Sequence, residues 1–169
     1  MAEDPDRRGP EIHHYRVRCA WSGSTGGGYE AYDRTHRASV DPGGPTLTLS
    51  ADPAFSGDAR LLNPEQMVVL AAASCQLLSF LAVAARARVD VRHYEDRGEA
   101  TMPDGRLTRL ESIVLHPTIG VLPPTTAARV EHLVEVAHRE CFVANSLRTP
   151  VVVHPTVVIL DPRAAERPT

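Results

Sequence analysis

Residues 63–87 read NPEQMVVLAAASCQLLSFLAVAARA, and this stretch decides the fold. Asn63 suits a helix cap, Pro64 the first helical position, and Gln66 stands where a capping-box partner would. The pattern predicts one helix from Asn63 to about Arg88. Its apolar run from Met67 to Ala85 is 19 residues long, near the length of a membrane-spanning helix. Against a span, Ser74, Cys75, Gln76 and Ser79 interrupt the run, most of the rest is Ala and Val, and no second span follows. A helix apolar on all sides is more simply the buried centre of a folded domain. A single sheet covers only one side of such a helix, so a second copy of the chain is expected to cover the other.

Working outward, His13–Ser22 alternates, with Tyr15, Val17, Cys19 and Trp21 on one face, and reads as a strand. Glycines 26–28 mark a loop, and the DPGG turn separates strands at Ala38–Val40 and Thr46–Ala51. The segment ADPAFSGDARLL reads as a connection. After the long helix, Val89–Tyr94, Glu99–Met102 and Leu107–Pro117 read as strands, with PDGR as a turn. Thr125 or Thr126 is expected to cap a second helix with Val130, Leu133, Val134, Ala137 and Cys141 on one stripe. Arg148–Leu160, rich in Val and Ile, closes the chain as a strand. Strands grouped around two helices indicate the α+β class. The expected organisation is a single domain over 12–161 between loose tails at 1–11 and 162–169.

The whole chain has 169 residues, with a net charge of −3 that gives no reason to expect nucleic acid as a partner. All 18 basic residues are Arg. The three cysteines, Cys19, Cys75 and Cys141, are too few for a disulfide-stapled scaffold. The charged N-terminus lacks the apolar core of a signal peptide, so a cytoplasmic location is expected. In a reducing compartment a Cys pair serves catalysis, redox chemistry or metal binding more often than structure. His138 and Cys141 could share a metal at i, i+3 spacing, but no CxxC, HExxH or dense cluster accompanies them, so neither metal nor cofactor is expected. Each thiol alone would read as a small buried hydrophobe. Cys75 stands out by its polar neighbours Ser74 and Gln76, and Cys141 by its place in AHRECFVANSL, where the second helix must give way.

NPEQMVVLAAASC followed by AHRECFVANS resembles the OsmC/Ohr family, the osmotically inducible and organic hydroperoxide resistance proteins. The resemblance rests on the N-P-E-[EQ] helix start, a Cys ten positions after its Glu, and a second Cys in AH..C..(S/A)N. It runs from the first strand to the last. It implies an antiparallel sheet with a long buried central helix and a second helix, completed by an intertwined homodimer. It also implies a peroxidase in which Cys75 is the peroxidatic and Cys141 the resolving residue. Glu65 matches the helix-start carboxylate that pairs with an Arg near the thiolate. Arg34 matches that Arg by its offset to Asp41, and Arg37 is the alternative. Gln76 stands where many relatives have an aromatic residue or His, and Phe142 where the hydroperoxide-resistance branch has Pro. The motifs are thus closer to a general OsmC-like branch.

The chemistry these residues imply begins with a thiolate attacking the peroxide O–O bond. Arg would stabilise the thiolate and the departing alkoxide, with Glu65 holding the guanidinium. Cys75 sulfenic acid then condenses with Cys141 to a disulfide, which an external dithiol, in the family typically a lipoylated protein, reduces. Leu77, Phe80 and Phe142 would favour an organic hydroperoxide over hydrogen peroxide. Ten helical residues rise about 15 Å, so Glu65 reaches its own Cys75 only through a bend or a bridging Arg34, or else serves the partner chain. The rival reading is a non-catalytic homodimer binding a small apolar ligand.

Overall fold

The computed structural model describes residues 12–104 and 109–162. The expected 1–11 tail, nearly all of the 162–169 tail, the latter half of the PDGR turn and the first two residues of the Leu107–Pro117 strand lie outside them. The chain divides into two compact units, Met1–Pro64 and Glu65–Thr169.

The first unit holds an antiparallel meander of β1 (Val17–Ala20), β2 (His36–Val40) and β3 (Thr46–Leu49). The strand expected over His13–Ser22 is thus confined to its middle, because β2 offers partners only from Arg37 to Val40. Between β1 and β2 the glycine loop brings three rings together. Tyr32 meets both Trp21 and Tyr29 edge-on, at 6.1 and 6.2 Å. The ADPAFSGDARLL connection contains a short 3-10 turn, Pro53–Phe55, capped by Asp52. Gly57 is required there, since a Cβ would lie 1.7 Å from the Ala51 carbonyl oxygen.

In the second unit α1 spans Pro64–Arg86, with Pro64 at the first position as the sequence indicates. It ends where Arg88 turns left-handed (φ 56°) and Val89 N–H donates back to the Ala84 carbonyl. Positions 72, 76, 80, 83 and 84 form one buried stripe. Phe80, Val83 and Ala84 pack with Ile119, Val121, Val130, Leu133, Val134 and Ala137, while Ala72 joins Ile113 and Leu115 in a second cluster. The opposite side of α1 leaves Leu70, Leu78 and Leu81 exposed. By length and composition α1 would suffice to cross a membrane, a test that the core helix of a folded domain also passes.

The remaining strands are β4 (Val91–Glu95), β5 (Gly98–Thr101), β6 (Ser112–Leu115), β7 (Thr118–Val121), β8 (Val151–Val153) and β9 (Thr156–Ile159). They form two three-stranded sheets, ordered β4-β7-β9 and β5-β6-β8. The α+β class holds, and the sheets are mixed rather than wholly antiparallel: β6 runs parallel to β8, and β7 to β9. Two expected strands need correction. Leu107–Pro117 stops at Leu115 and a new strand starts at Thr118, while Arg148–Leu160 divides into β8 and β9. Both breaks fall at His-Pro-Thr, where proline has no N–H for a ladder. The bends align, since Leu115 faces Val153 and Thr118 faces Thr156. The rings of His116 and His154 lie 5.7 Å apart at this corner.

Between β7 and β8 runs α2 (Ala127–Glu140), the crossover that parallel pairing demands. Thr126 is its cap, accepting from Arg129 N–H at 3.3 Å. The expected stripe, Val130 to Cys141, is buried throughout. A further short helix, α3 (Phe142–Ser146), follows at once.

Candidate active site

The site lies where α1 passes the junction of α2 and α3. Cys141 ends α2 and starts α3, with extended backbone (φ −72°, ψ 108°). Its N–H bonds the His138 carbonyl and its own carbonyl receives Asn145 N–H at 3.0 Å. Asn145 Nδ2 also donates to the Arg139 carbonyl at 2.9 Å, tying the new helix to the end of the old one. This sharp reversal aims the first N–H groups of α3 at α1. Val143 N–H donates to Cys75 Sγ at 3.5 Å.

On α1, Ala71, Ser74, Cys75, Leu78, Ser79, Ala82 and Arg86 follow helical spacing and line a cavity of about 950 Å³. Arg139, Glu140, Phe142, Val143 and Asn145 close it from the other side. Its rim carries an Arg86–Glu140 ion pair at 2.7 Å, exposed on both sides and so contributing at most about 1 kcal/mol to stability. The expectation for apolar neighbours needs revision. Phe142 lines the cavity, but Leu77 and Phe80 do not, and Leu78 takes their place. Phe80, five positions beyond Cys75, points into the core beneath Gln76. Gln76 is itself 1% exposed and donates to the Val134 carbonyl at 3.4 Å.

Cys75 and Cys141 are both free thiols, and each shifts the acidity of the other. Their surroundings drive them apart in acidity. Burial pushes the Cys75 thiol up, but the N–H of Val143, the Cys141 thiol, the N–H of Phe142 and Ser79 outweigh it and leave the thiol below its ordinary value. For Cys141, burial raises the thiol, the Ala144 N–H opposes this, and the adjacent Cys75 raises it further. The result lies above the ordinary value. The pair can therefore supply one thiolate and hold the other sulfur protonated beside it.

Two of the donors that lower Cys75 are backbone groups of α3, which sequence reasoning missed in looking for a cation. The only sequence signal for them was the need for α2 to end at CFVANS. Arg34 is in the other unit, 9% exposed. Its guanidinium donates to the carbonyls of Tyr32 and Tyr29, each at 2.6 Å. It also lies 4.1 Å from the Tyr32 ring centroid and 4.6 Å from that of Tyr29. Arg37 is an exposed residue of β2. Of the two arginines, Arg34 alone is held in one orientation by its neighbours. Glu65, half-buried, occupies the first turn of α1, where a carboxylate complements the helix dipole. Among the described residues no group of three or more His, Cys, Asp or Glu could hold a metal.

The sequence model for OsmC-like protein matches residues 57–156. An OsmC-like protein of unknown function from Vibrio cholerae superposes with a TM-score of 0.78 at 26% identity, over 86% of this chain and 100% of that one. An OsmC-like protein from Mycoplasma pneumoniae gives a TM-score of 0.70 at 17% identity, covering 88% of this chain and 99% of the other. An organic hydroperoxide resistance protein from Legionella pneumophila gives 0.65 at 17%, covering 89% and 100%. No curated protein matches the chain. The last two structures are similar in fold alone, whereas the family match spans both thiols and the helices that carry them. The chain belongs to the OsmC-like protein family.

Proposed function

We propose that the chain is a thiol-dependent peroxidase that reduces organic hydroperoxides through Cys75 and Cys141. The observation that carries this reading is a cavity-lining thiol, held by an α3 N–H and of lowered pKa, coupled to a second, buried thiol of raised pKa. Cys75 thiolate attacks the outer peroxide oxygen, the O–O bond breaks, and the alkoxide leaves and takes a proton. The resulting sulfenic acid condenses with Cys141, releasing water and forming a disulfide. An external dithiol restores both thiols. Leu78, Ala82 and Phe142 give the cavity an apolar wall against which an alkyl or aryl tail gains by burial.

Arg34 and Glu65 complete the proposal. Arg34 is the cation for the alkoxide and Glu65 the carboxylate that holds it. Glu65 stands ten residues before Cys75 on α1, about 15 Å along the axis. We therefore assign it to the site of a second copy, whose α1 would also cover Leu70, Leu78 and Leu81. Mixing a Glu65→Ala chain with a Cys75→Ser chain tests this, because only a shared site restores part of the activity. The peroxidase reading itself is tested by turnover of cumene hydroperoxide with dihydrolipoamide as reductant. Saturable, Cys75-dependent turnover is expected, whereas tight binding of hydrophobic ligands without turnover would favour the ligand-binding alternative.

A further inference from the structure

A five-residue helix is too short to keep a direction by its own hydrogen bonds, so the orientation of α3 is set by what touches it. No side chain caps its N-terminus. On one side Val143 and Leu147, four positions apart, pack against the cluster of Ala72, Ile113 and Leu115. Asn145 stands two residues from each and so on the opposite side of the helix. There its Nδ2 donates to the Arg139 carbonyl at 2.9 Å, and its backbone N–H donates to the Cys141 carbonyl at 3.0 Å. The Arg139 carbonyl is one of those that the last turn of α2 leaves without a helical partner. One exposed residue therefore joins the end of α2 to α3, and it lines the same cavity as Cys75.

Across that cavity the Val143 N–H donates to Cys75 Sγ at 3.5 Å. A hydrogen bond weakens steeply with misalignment, so a small swing of α3 would lose it. Burial of Val143 and Leu147 fixes the depth of α3 but not its swing, because apolar burial has no direction. We propose that Asn145 is a positioning residue: through its bond to the Arg139 carbonyl it keeps the first N–H groups of α3 on Cys75 Sγ. The inference rests on the reading of Cys75 as the reacting thiol.

Its consequence is chemical. Burial raises the Cys75 thiol, and the N–H groups of Val143 and Phe142 are among those that bring it down. Loosening α3 leaves burial less opposed and the thiol less acidic. The charged groups that line the cavity with Cys75 are Arg86 on α1 and Arg139 and Glu140 on α2. Arg86 and Glu140 pair with each other at 2.7 Å, and Cys141 adds the second thiol. Replacing Asn145 by an uncharged residue alters none of these groups.

The test is the rate of Cys75 alkylation by iodoacetamide against pH in a Cys19→Ser parent, with the alkylated residue read by peptide mass. Asn145→Ala removes the donor at an exposed helical position, where alanine is a good helix former. Asn145→Leu keeps the size of the side chain without its amide, and carries the test if the first variant does not fold. In both, the midpoint should move upward and the rate at neutral pH fall several-fold, while the rate at the alkaline plateau does not fall. A residue that only governed access would change the plateau and leave the midpoint in place. In a Val143→Pro background, Asn145→Ala should shift the midpoint less than in the parent, because both changes act through the same N–H. The parent's midpoint in both Asn145 variants overturns the proposal, as does an undiminished shift in the Val143→Pro background. If the midpoint moves as expected but the parent consumes no cumene hydroperoxide, the peroxidase reading falls and the role of Asn145 stands.

Discussion

Cys75 and Cys141 influence each other's acidity, yet the fold treats them oppositely. Cys75 stands on the cavity side of α1 and receives two backbone N–H groups from α3. Cys141 closes the buried stripe of α2 and is raised by burial and by its neighbour. The difference shows how one residue type takes two roles without any change in sequence chemistry. In the proposed peroxidase the accessible sulfur with donors is the one to carry the negative charge, and the enclosed sulfur the one to keep its proton until the first is oxidised.

The largest expected effect comes from removing the accessible member. Cys75→Ser should reduce peroxide turnover to the uncatalysed rate, measured by cumene hydroperoxide consumption, because serine offers no comparable nucleophile at neutral pH. Cys141→Ser breaks the comparison from the other side. It should consume about one equivalent of peroxide per chain and stop at a sulfenic acid that dimedone captures. Equal multiple turnover in both variants would remove the distinction between the sulfurs.

The pKa directions sharpen it further. With Cys19 replaced by Ser, iodoacetamide should alkylate Cys75 first, with a midpoint below that of an ordinary thiol. Val143→Pro removes the N–H that donates to Cys75 at a first-turn position that tolerates proline. It should raise that midpoint. The linked effects on stability have opposite signs. The lowered Cys75 adds stability above the unfolded thiol value, lost as pH falls through its folded value. The raised Cys141 adds stability below the unfolded value, lost as pH climbs through its own. The smallest effect is expected at the rim. Phe142, 81% exposed in the single chain, should tolerate Ala within about 0.5 kcal/mol in thermal unfolding while the KM for cumene hydroperoxide rises several-fold.

Much of this was legible in the sequence. The NPEQ start and the long, largely apolar run pointed to α1, and the 3.6-residue stripe to α2 and its capping Cys141. Local patterns could not reveal how β6 and β7, or β8 and β9, divide at paired His-Pro-Thr bends, because parallel partners 38 residues apart set that register. Nor could they reveal α3, whose five residues are too few for a periodic signal. The site residues were readable as types, but the backbone donors to Cys75 were not, since an N–H carries no letter of its own. The same limit led to Phe80 being placed beside Cys75, when the helix turns it to the core.

The most direct test of the thiol pair is intact-mass counting of free thiols after one equivalent of cumene hydroperoxide, in wild type and in Cys141→Ser. The account predicts loss of both Cys75 and Cys141 in the wild type and a single sulfenic acid on Cys75 in the variant. Two thiols that stay reduced while the peroxide persists would contradict it.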